Sequence, residues 1–326
     1  MQTHGTEGKD PPGDARLYVV DPAGGAIQVN DVPGERGLWS AGVQGLGSGF
    51  LGVVSFLDFF GEYRLAWYEH AGVPTGARHD SGPGPGALLG VLPDGRVIVL
   101  NVPLDASQAP RLEQYESDGG LRWATEFPVP SSLSLSRVDL DGRTLLGESH
   151  ADGGVSLSWV DENGVPGPVF DGPPRLLDAF PRAEGGFFLR QYPPDFNDFP
   201  HWVGMLASGA TTLEPVPDWL PKPGVTGEDW FRVTPARDGY LIRPSDAMEP
   251  LLEVRSVGGE LCGQLDLVPV DSRILGLATS YVGADGTVLA SGFSCAGPNS
   301  LSASLRANAG ARVCTCAWQY WPALLH

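Results

Sequence analysis

The sequence is poor in lysine and in positive charge. Only Lys9 and Lys222 occur, and 21 basic residues stand against 39 acidic ones, so the formal net charge is −18 at pH 7. Proteins that bind nucleic acid need patches of Lys and Arg to neutralise phosphates, and anionic membrane surfaces attract basic segments in the same way. The charge therefore argues against nucleic acid and against an anionic membrane surface as partners.

Long apolar runs and helical periodicity are also missing. No run approaches the ~18 apolar residues that a transmembrane helix needs, and no window of a dozen residues keeps apolar side chains at i, i+3, i+4 and i+7. The hydrophobic content of 42% disfavours disorder. Short apolar runs between clusters of Gly and Pro are typical of an all-β protein.

The first residues contain no hydrophobic core of a signal peptide. Residues 1–16 are polar and rich in Gly, Pro and Asp, so we interpret them as a flexible tether that follows a removed export signal or lipid anchor. Residues 17–326 are predicted to form a single domain. The excess of arginine over lysine indicates a bacterial source. We expect an exported protein that is periplasmic, anchored to the cell envelope or extracellular; a cytosolic protein with a frayed start is the alternative.

What the sequence does contain is a repeated pair of hairpins. In Leu88–Phe127, apolar runs flank Asp94-Gly95 and Asp118-Gly119-Gly120, which predicts four strands, named A to D. Two-residue turns with positive φ favour Asp-Gly at such positions. The A–B turns and the C–D turns recur at two series of glycines: Gly49, Gly95, Gly142, Gly185, Gly239 and Gly286; and Gly24, Gly72, Gly119, Gly164, Gly209, Gly258 and Gly310.

The spacing of these repeats predicts the fold. Glycines of the C–D series are 45 to 52 residues apart, and four strands per period in the forties indicate a β-propeller. Seven four-stranded blades are favoured, one of them a composite of the N-terminal hairpin (Leu17–Val29) and the C-terminal segment Trp318–Trp321. Six blades with the N-terminal hairpin packed outside is the alternative, because only six A–B hairpins can be counted.

Two stretches carry a family resemblance. Leu17-Tyr-Val-Val-Asp21 with Gly24, and Gly120-Leu-Arg-Trp123, resemble the outer hairpin of quinoprotein-type propeller repeats. The resemblance implies the fold. Quinone-dependent dehydrogenases of this class carry a Cys-Cys pair, which this sequence lacks. The resemblance therefore implies a binding or scaffolding member without a quinone cofactor.

The longer connections mark the expected functional face. The B–C and D–A connections share one side of a propeller, and variable loops on a rigid scaffold usually carry function. Three of them combine aromatic rings with carboxylates, which suits carbohydrate stacking or recognition of a basic peptide; each ring could instead serve packing alone. The candidate ligand-binding residues are Asp58, Tyr63, Tyr192, Asp195, Asp198, His201, Trp202, Trp219, Asp229 and Trp230.

Motifs for catalysis and metal binding are weak. Asp195, Asp198 and Asp229 could serve a glycoside hydrolase or a lyase, which needs two carboxyls roughly 5–9 Å apart. Asp195-Phe-Asn197-Asp198 could hold Ca²⁺ through oxygen ligands, although the order of a calcium loop is absent. No other cofactor is expected. The favoured function is a non-catalytic binding or scaffold module for a glycan or protein, and the enzyme is the alternative.

All four cysteines lie near the end of the chain, at Cys262, Cys295, Cys314 and Cys316. Cys314 and Cys316 are two apart on a predicted strand and share one side of it. In an exported protein they predict disulfides, with Cys262 and Cys295 each bonded to Cys314 or Cys316. A thiolate metal site is the alternative, with poor spacing for zinc.

Overall fold

Strands and tight turns make up almost all that the structure describes. This structure, a computed structural model, describes residues 14–20, 27–36, 43–46, 50–57, 63–68, 74–80, 86–92, 94–102, 108–127, 133–192, 200–221, 233–236, 238–242, 251–266, 278–282, 288–296 and 313–321. None of these residues is helical, and none of them belongs to a helix that could cross a membrane. The low helix content expected from the sequence is confirmed for this part of the chain.

The chain divides into two compact parts, Met1–Val225 and Thr226–His326. In the first part, successive strands pair antiparallel with their neighbours in the chain and form five sheets. The first sheet contains β1 (Asp14–Val20) and β2 (Ile27–Arg36); the second contains β3 (Val43–Leu46), β4 (Phe50–Leu57), β5 (Tyr63–Tyr68) and β6 (Pro74–Asp80). The third contains β7 (Gly86–Val91), β8 (Val97–Asn101), β9 (Arg111–Tyr115) and β10 (Leu121–Glu126); the fourth contains β11 (Leu133–Val138), β12 (Thr144–Ser149), β13 (Val155–Val160) and β14 (Pro166–Asp171). The fifth contains β15 (Leu176–Pro181), β16 (Phe187–Gln191) and β17 (His201–Leu206).

The second part holds two further antiparallel sheets. The sixth contains β18 (Val233–Ala236), β19 (Gly239–Ile242), β20 (Leu251–Ser256) and β21 (Leu261–Asp266). The seventh contains β22 (Ala278–Val282), β23 (Val288–Ala296) and β24 (Val313–Trp321). Four-stranded antiparallel sheets in chain order are the blades of a β-propeller, and the predicted fold class is confirmed. The blade count of seven stays a prediction.

The predicted assignment of the last repeat was wrong. Trp318–Trp321 was expected to follow a C–D hairpin as a separate inner strand, but it is the end of β24, which begins at Val313. β24 pairs with β23 along its whole length, from Val313 opposite Ala296 to Trp321 opposite Val288. The segment is therefore the third strand of the seventh sheet. Gly310 lies outside the described residues.

The tight turns differ in type from the prediction. The turn after β7 closes with a bond from the Leu92 amide to the Arg96 carbonyl (2.8 Å) and one from the Gly95 amide to the Leu92 carbonyl (2.9 Å). Gly95 has φ of 84°, whereas Asp94 is not in the positive region. This pattern is a type I turn followed by a glycine bulge, and not the two-residue turn with two positive φ angles. The same pair of bonds recurs in the described turns that begin at Glu116, Asp139, His150, Asp161, Arg182 and Ser256.

Apolar clusters lie between successive sheets of the first part. One combines Leu65 and Trp67 of the second sheet with β7, β8 and β9 of the third. Another joins Ile98 of the third sheet to Val160 of the fourth, and a third joins the fourth sheet to the fifth. The second to fifth sheets begin with β3, β7, β11 and β15, and these four strands lie beside one another in chain order. Burial between neighbouring sheets, and not within a single sheet, is how repeated units of this kind are stabilised.

Indole N–H groups also join successive sheets. The Nε1 atom of Trp67 donates to the carbonyl of Gly95 (3.0 Å), in the first turn of the next sheet. Trp123 donates to the Glu162 carbonyl (3.1 Å) and Trp159 to the Ala210 carbonyl (2.6 Å), each again in the next sheet. A buried indole needs a hydrogen-bond acceptor. These bonds therefore set the position of each of these sheets relative to the next one.

The fifth sheet is shorter than the predicted four strands. After the turn at Ala207–Ala210, the chain returns to β17 through a single bridge, in which Met205 and Glu214 exchange two backbone bonds of 2.8 Å. The chain then continues toward the buried Leu220 and does not form a fourth strand. This departure from the repeat places Trp219 against the sheet.

Candidate functional site

Half of the predicted ligand-binding residues lie outside the described part of the chain. These are Asp58, Asp195, Asp198, Asp229 and Trp230. Tyr63 is described through its backbone, as the first residue of β5 opposite Leu57. Of the remaining residues, Tyr192, His201 and Trp202 adjoin the connection between β16 and β17, and Trp219 follows the bridge of the fifth sheet.

Trp202 and Trp219 belong to an aromatic cluster on one face of the fifth sheet. The ring of Trp202 meets Phe180 edge-on at 5.2 Å between centroids, and Phe188 meets Trp202 at 6.3 Å and Trp219 at 5.8 Å. The Trp202 Nε1 atom donates to the Pro221 carbonyl (2.7 Å). The buried guanidinium of Arg190 lies 4.9 Å from the Phe180 ring centre and 5.8 Å from that of Trp202. Both indoles therefore hold the segment after the bridge on the sheet.

His201 and Gln191 form a polar pair at the adjoining ends of β16 and β17. The Gln191 Nε2 atom lies 2.9 Å from the His201 Nε2 atom. The contact joins the side-chain amide of Gln191 to the imidazole ring of His201. The next residue, Tyr192, is 42% exposed. We call the side of the B–C and D–A connections, where function was expected, the loop face. Among the predicted residues, Tyr192 and His201 lie together on this face.

Arg175 lies next to this pair and was missed by the sequence reasoning. Its φ is +56°, which is the only positive value of a residue other than glycine among the described residues. Its amide donates to the Gly153 carbonyl (3.0 Å) in the turn after β12, and its carbonyl accepts from the Tyr192 amide (3.0 Å). Two neighbouring loops therefore hold an exposed arginine in a conformation that costs about 1–2 kcal/mol for an L-residue.

Arg175, Tyr192, His201 and His150 share this part of the loop face. His150 opens the turn whose Gly153 carbonyl accepts from Arg175, and its Nε2 atom lies 2.7 Å from Ser156 Oγ. The four residues offer guanidinium, imidazole and phenol groups at the junction of the fourth and fifth sheets. These groups can donate hydrogen bonds to hydroxyl or carboxylate oxygens, and Tyr192 adds an exposed ring face. We call these four residues the junction site.

One buried carboxyl lies in the tight turn after β11, where the A–B and C–D turns meet opposite the loop face. Burial raises the pKa of Asp139, and the nearby negative charge of Asp141 acts in the same direction; bonds from Ser208, Arg143 and Gly186 oppose the rise. The Oδ2 atom accepts from the Ser208 hydroxyl (2.6 Å) and the Gly186 amide (3.1 Å). The Oδ1 atom accepts from the amides of Asp141 (3.0 Å) and Arg143 (2.9 Å).

Asp139 therefore joins the fourth sheet to the fifth, because Gly186 and Ser208 belong to two turns of the fifth sheet. Its four acceptor positions are occupied by the protein, so the carboxyl has a structural role. Within the described residues, no three His, Cys, Asp or Glu side chains are grouped as metal ligands. The predicted calcium loop and the predicted catalytic carboxyls lie outside those residues and stay predictions.

Cys262 lies on β21 at the edge of the sixth sheet. It is exposed, its thiol is free, and its Sγ atom lies 3.5 Å from the Glu260 carbonyl oxygen. The predicted bond from Cys262 to Cys314 or Cys316 is thus not formed in this structure.

No protein-family model and no curated protein matches the sequence. Several solved structures are similar in fold. The β-propeller domain of the trilobed protease from Pyrococcus furiosus is 12% identical over 77% of this chain and 78% of its own, with a TM-score of 0.47. TolB from Acinetobacter baumannii is 16% identical over 77% and 64%, with a TM-score of 0.40. A protein of unknown function from Bacteroides caccae is 11% identical over 78% and 92%, with a TM-score of 0.42. At these identities and TM-scores, the likeness carries no argument about what this chain does.

Proposed function

We propose that this protein is an exported, non-catalytic β-propeller module that binds a glycan through the junction site on its loop face. The observation that carries the proposal is the conformation of Arg175. Glycine occupies most positive-φ positions in the described chain, because it adopts them without steric cost. An exposed arginine at such a position indicates that the side chain itself is needed, since strained residues concentrate at binding sites.

The surroundings of Arg175 favour a glycan over a protein surface. Protein interfaces are centred on buried apolar and aromatic anchors. In the described part of the first five sheets, the most exposed aliphatic side chains are Leu121, Val165 and Val169, at 57%, 59% and 71%. They lie on fourth strands or in the turn before one, away from the junction site. The junction site instead combines polar donors with the exposed ring of Tyr192, which suits sugar hydroxyls and a sugar face.

The test uses Arg175→Gly on a panel of bacterial envelope polysaccharides and oligosaccharides. Glycine relieves the strain of the positive φ but loses about 0.5–1 kcal/mol in backbone entropy, so the folded state should keep its stability within about 1 kcal/mol. We expect affinity for any bound glycan to fall at least tenfold. Arg122→Ala, which removes an exposed arginine that pairs with Glu116 on the third sheet, is the matched control and should bind like the wild type.

Two results would overturn the proposal. In the first, Arg175→Gly binds every glycan of the panel as the wild type does. In the second, the wild type binds no glycan, and a protein partner is recovered whose binding Arg175→Gly weakens; the junction site would then be a protein interface.

A further inference from the structure

The register of the seventh sheet brings two cysteine positions together. In the antiparallel pair of β23 and β24, Cys295 is the direct Cα partner of Cys314. Direct partners in such a pair have Cα atoms about 4.5–5.5 Å apart, which lies within the range of 4.4–6.8 Å found for disulfides. The two residues are therefore placed at bonding distance by the backbone alone.

The other two cysteines, Cys316 and Cys262, are poorer disulfide partners for Cys295 and Cys314. Cys316 is the partner of Phe293, so it stands on the diagonal from Cys295. Diagonal neighbours are about 7–8 Å apart, beyond the usual disulfide range. Cys314 and Cys316 are two residues apart on one strand, which separates equivalent atoms by about 6.6 Å along it, whereas bonded Cβ atoms lie about 3.5–4.5 Å apart. Cys262 is free on β21 of the sixth sheet.

We propose that Cys295 and Cys314 form a disulfide across β23 and β24, and that Cys262 and Cys316 stay reduced. The bond closes the connection of residues 297–312 into a covalent loop whose base is the pair of strands. It does not depend on the proposed glycan function.

The oxidant is a small-molecule disulfide of the glutathione class. One cysteine thiolate attacks this disulfide, forms a mixed disulfide and releases one glutathione thiolate. The second cysteine thiolate then attacks the mixed disulfide at the protein sulfur and releases the second glutathione thiolate. The protein loses two protons and two electrons, and the oxidant is reduced to two thiols.

The sequence allows a direct measurement on the full-length protein. After equilibration with oxidised glutathione, unfolding without reductant and alkylation, trypsin cleaves at Arg255, Arg273, Arg306 and Arg312. Cys262, Cys295 and the pair Cys314 and Cys316 then lie on three separate peptides, 256–273, 274–306 and 313–326. We expect peptides 274–306 and 313–326 to be joined, with alkyl groups on Cys262 and Cys316.

Two variants identify the bonded sulfur. Cys316→Ser should keep the link between the two peptides, and Cys314→Ser should lose it. The proposal is overturned if all four cysteines are alkylated, if peptide 256–273 carries the link, or if Cys316→Ser loses the link while Cys314→Ser keeps it.

Discussion

Removal of the Asp139 side chain should weaken the attachment of the fourth sheet to the fifth and lower the free energy of unfolding. Its carboxylate accepts two bonds within its own turn, from the amides of Asp141 and Arg143, and two from the fifth sheet, from Gly186 and Ser208. Asp139→Ala leaves all four donors without this acceptor. The buried Gly186 amide is the most costly of them, because water cannot easily replace the lost partner.

The size of the effect follows from the bonds that are lost. Hydrogen bonds to a charged group contribute about 1.5–3 kcal/mol each, and relief of the buried charge offsets part of the loss. We expect a net decrease of about 3 kcal/mol in the free energy of unfolding, which is a large share of the 5–15 kcal/mol typical of a folded protein.

Asp161 provides a matched control in the same sheet. Its Oδ1 atom accepts the corresponding two bonds of its own turn, from the amides of Asn163 (2.9 Å) and Val165 (2.8 Å), in an exposed position. Asp161→Ala should therefore cost only about 1 kcal/mol. Guanidinium unfolding, followed by tryptophan fluorescence, measures both variants. If Asp139→Ala loses no more stability than Asp161→Ala, the two bonds to the fifth sheet contribute nothing and the reasoning is wrong.

Three further predictions concern pH, a turn glycine and an indole bond. Since burial raises the pKa of Asp139 above its ordinary 3.8, the folded state binds this proton more tightly than the unfolded state does. The contribution of Asp139 to stability is thus greatest below pH 3.8 and falls as the pH rises through the folded pKa. The stability difference between the wild type and Asp139→Ala, measured by denaturant unfolding, should shrink from pH 4 to pH 7; an increase would contradict the sign. Gly186→Ala should lose more than 3 kcal/mol or fail to fold, because φ is +78° and a Cβ atom would clash with the Leu206 carbonyl oxygen. Gly263→Ala, with nothing within 4 Å of the added Cβ, should change stability by less than 1 kcal/mol in the same assay, and equal effects would refute the steric argument. Trp159→Phe should keep the contact with Phe187 but lose the bond to the Ala210 carbonyl, at about 1–2 kcal/mol, and an unchanged denaturation midpoint would show that the bond adds no stability.

Local patterns in the sequence were sufficient to predict the four strands of the third sheet and the positions of its two tight turns. Gly95, Gly142 and Gly185 were assigned to A–B turns, and each has the expected positive φ. The type of turn was wrong, because Asp-Gly fits both the two-residue turn and the longer turn with a glycine bulge. The error has no effect on the order of strands but changes the register of each hairpin by one residue.

The contacts between sheets could not be predicted in this way. Asp139 is 47 residues from Gly186 and 69 from Ser208, and no local pattern relates such distant positions. Arg175 was missed for a similar reason, since its positive φ is imposed by loops of two sheets and nothing marks it in the sequence. Trp202 was predicted as a ligand contact, yet its indole N–H bonds to Pro221. A tryptophan near loops and acidic residues gives the same sequence pattern whether it binds a ligand or packs against its own chain.

The three indole bonds described between sheets run in the same direction along the chain. The donor lies in the earlier sheet and the acceptor in the later one, 28 residues on for Trp67, 39 for Trp123 and 51 for Trp159. During synthesis at about 5–20 residues per second, each of these tryptophans is therefore made roughly 1–10 s before its acceptor. In each of these three cases, the indole of the earlier sheet lacks this acceptor until the later sheet has been made.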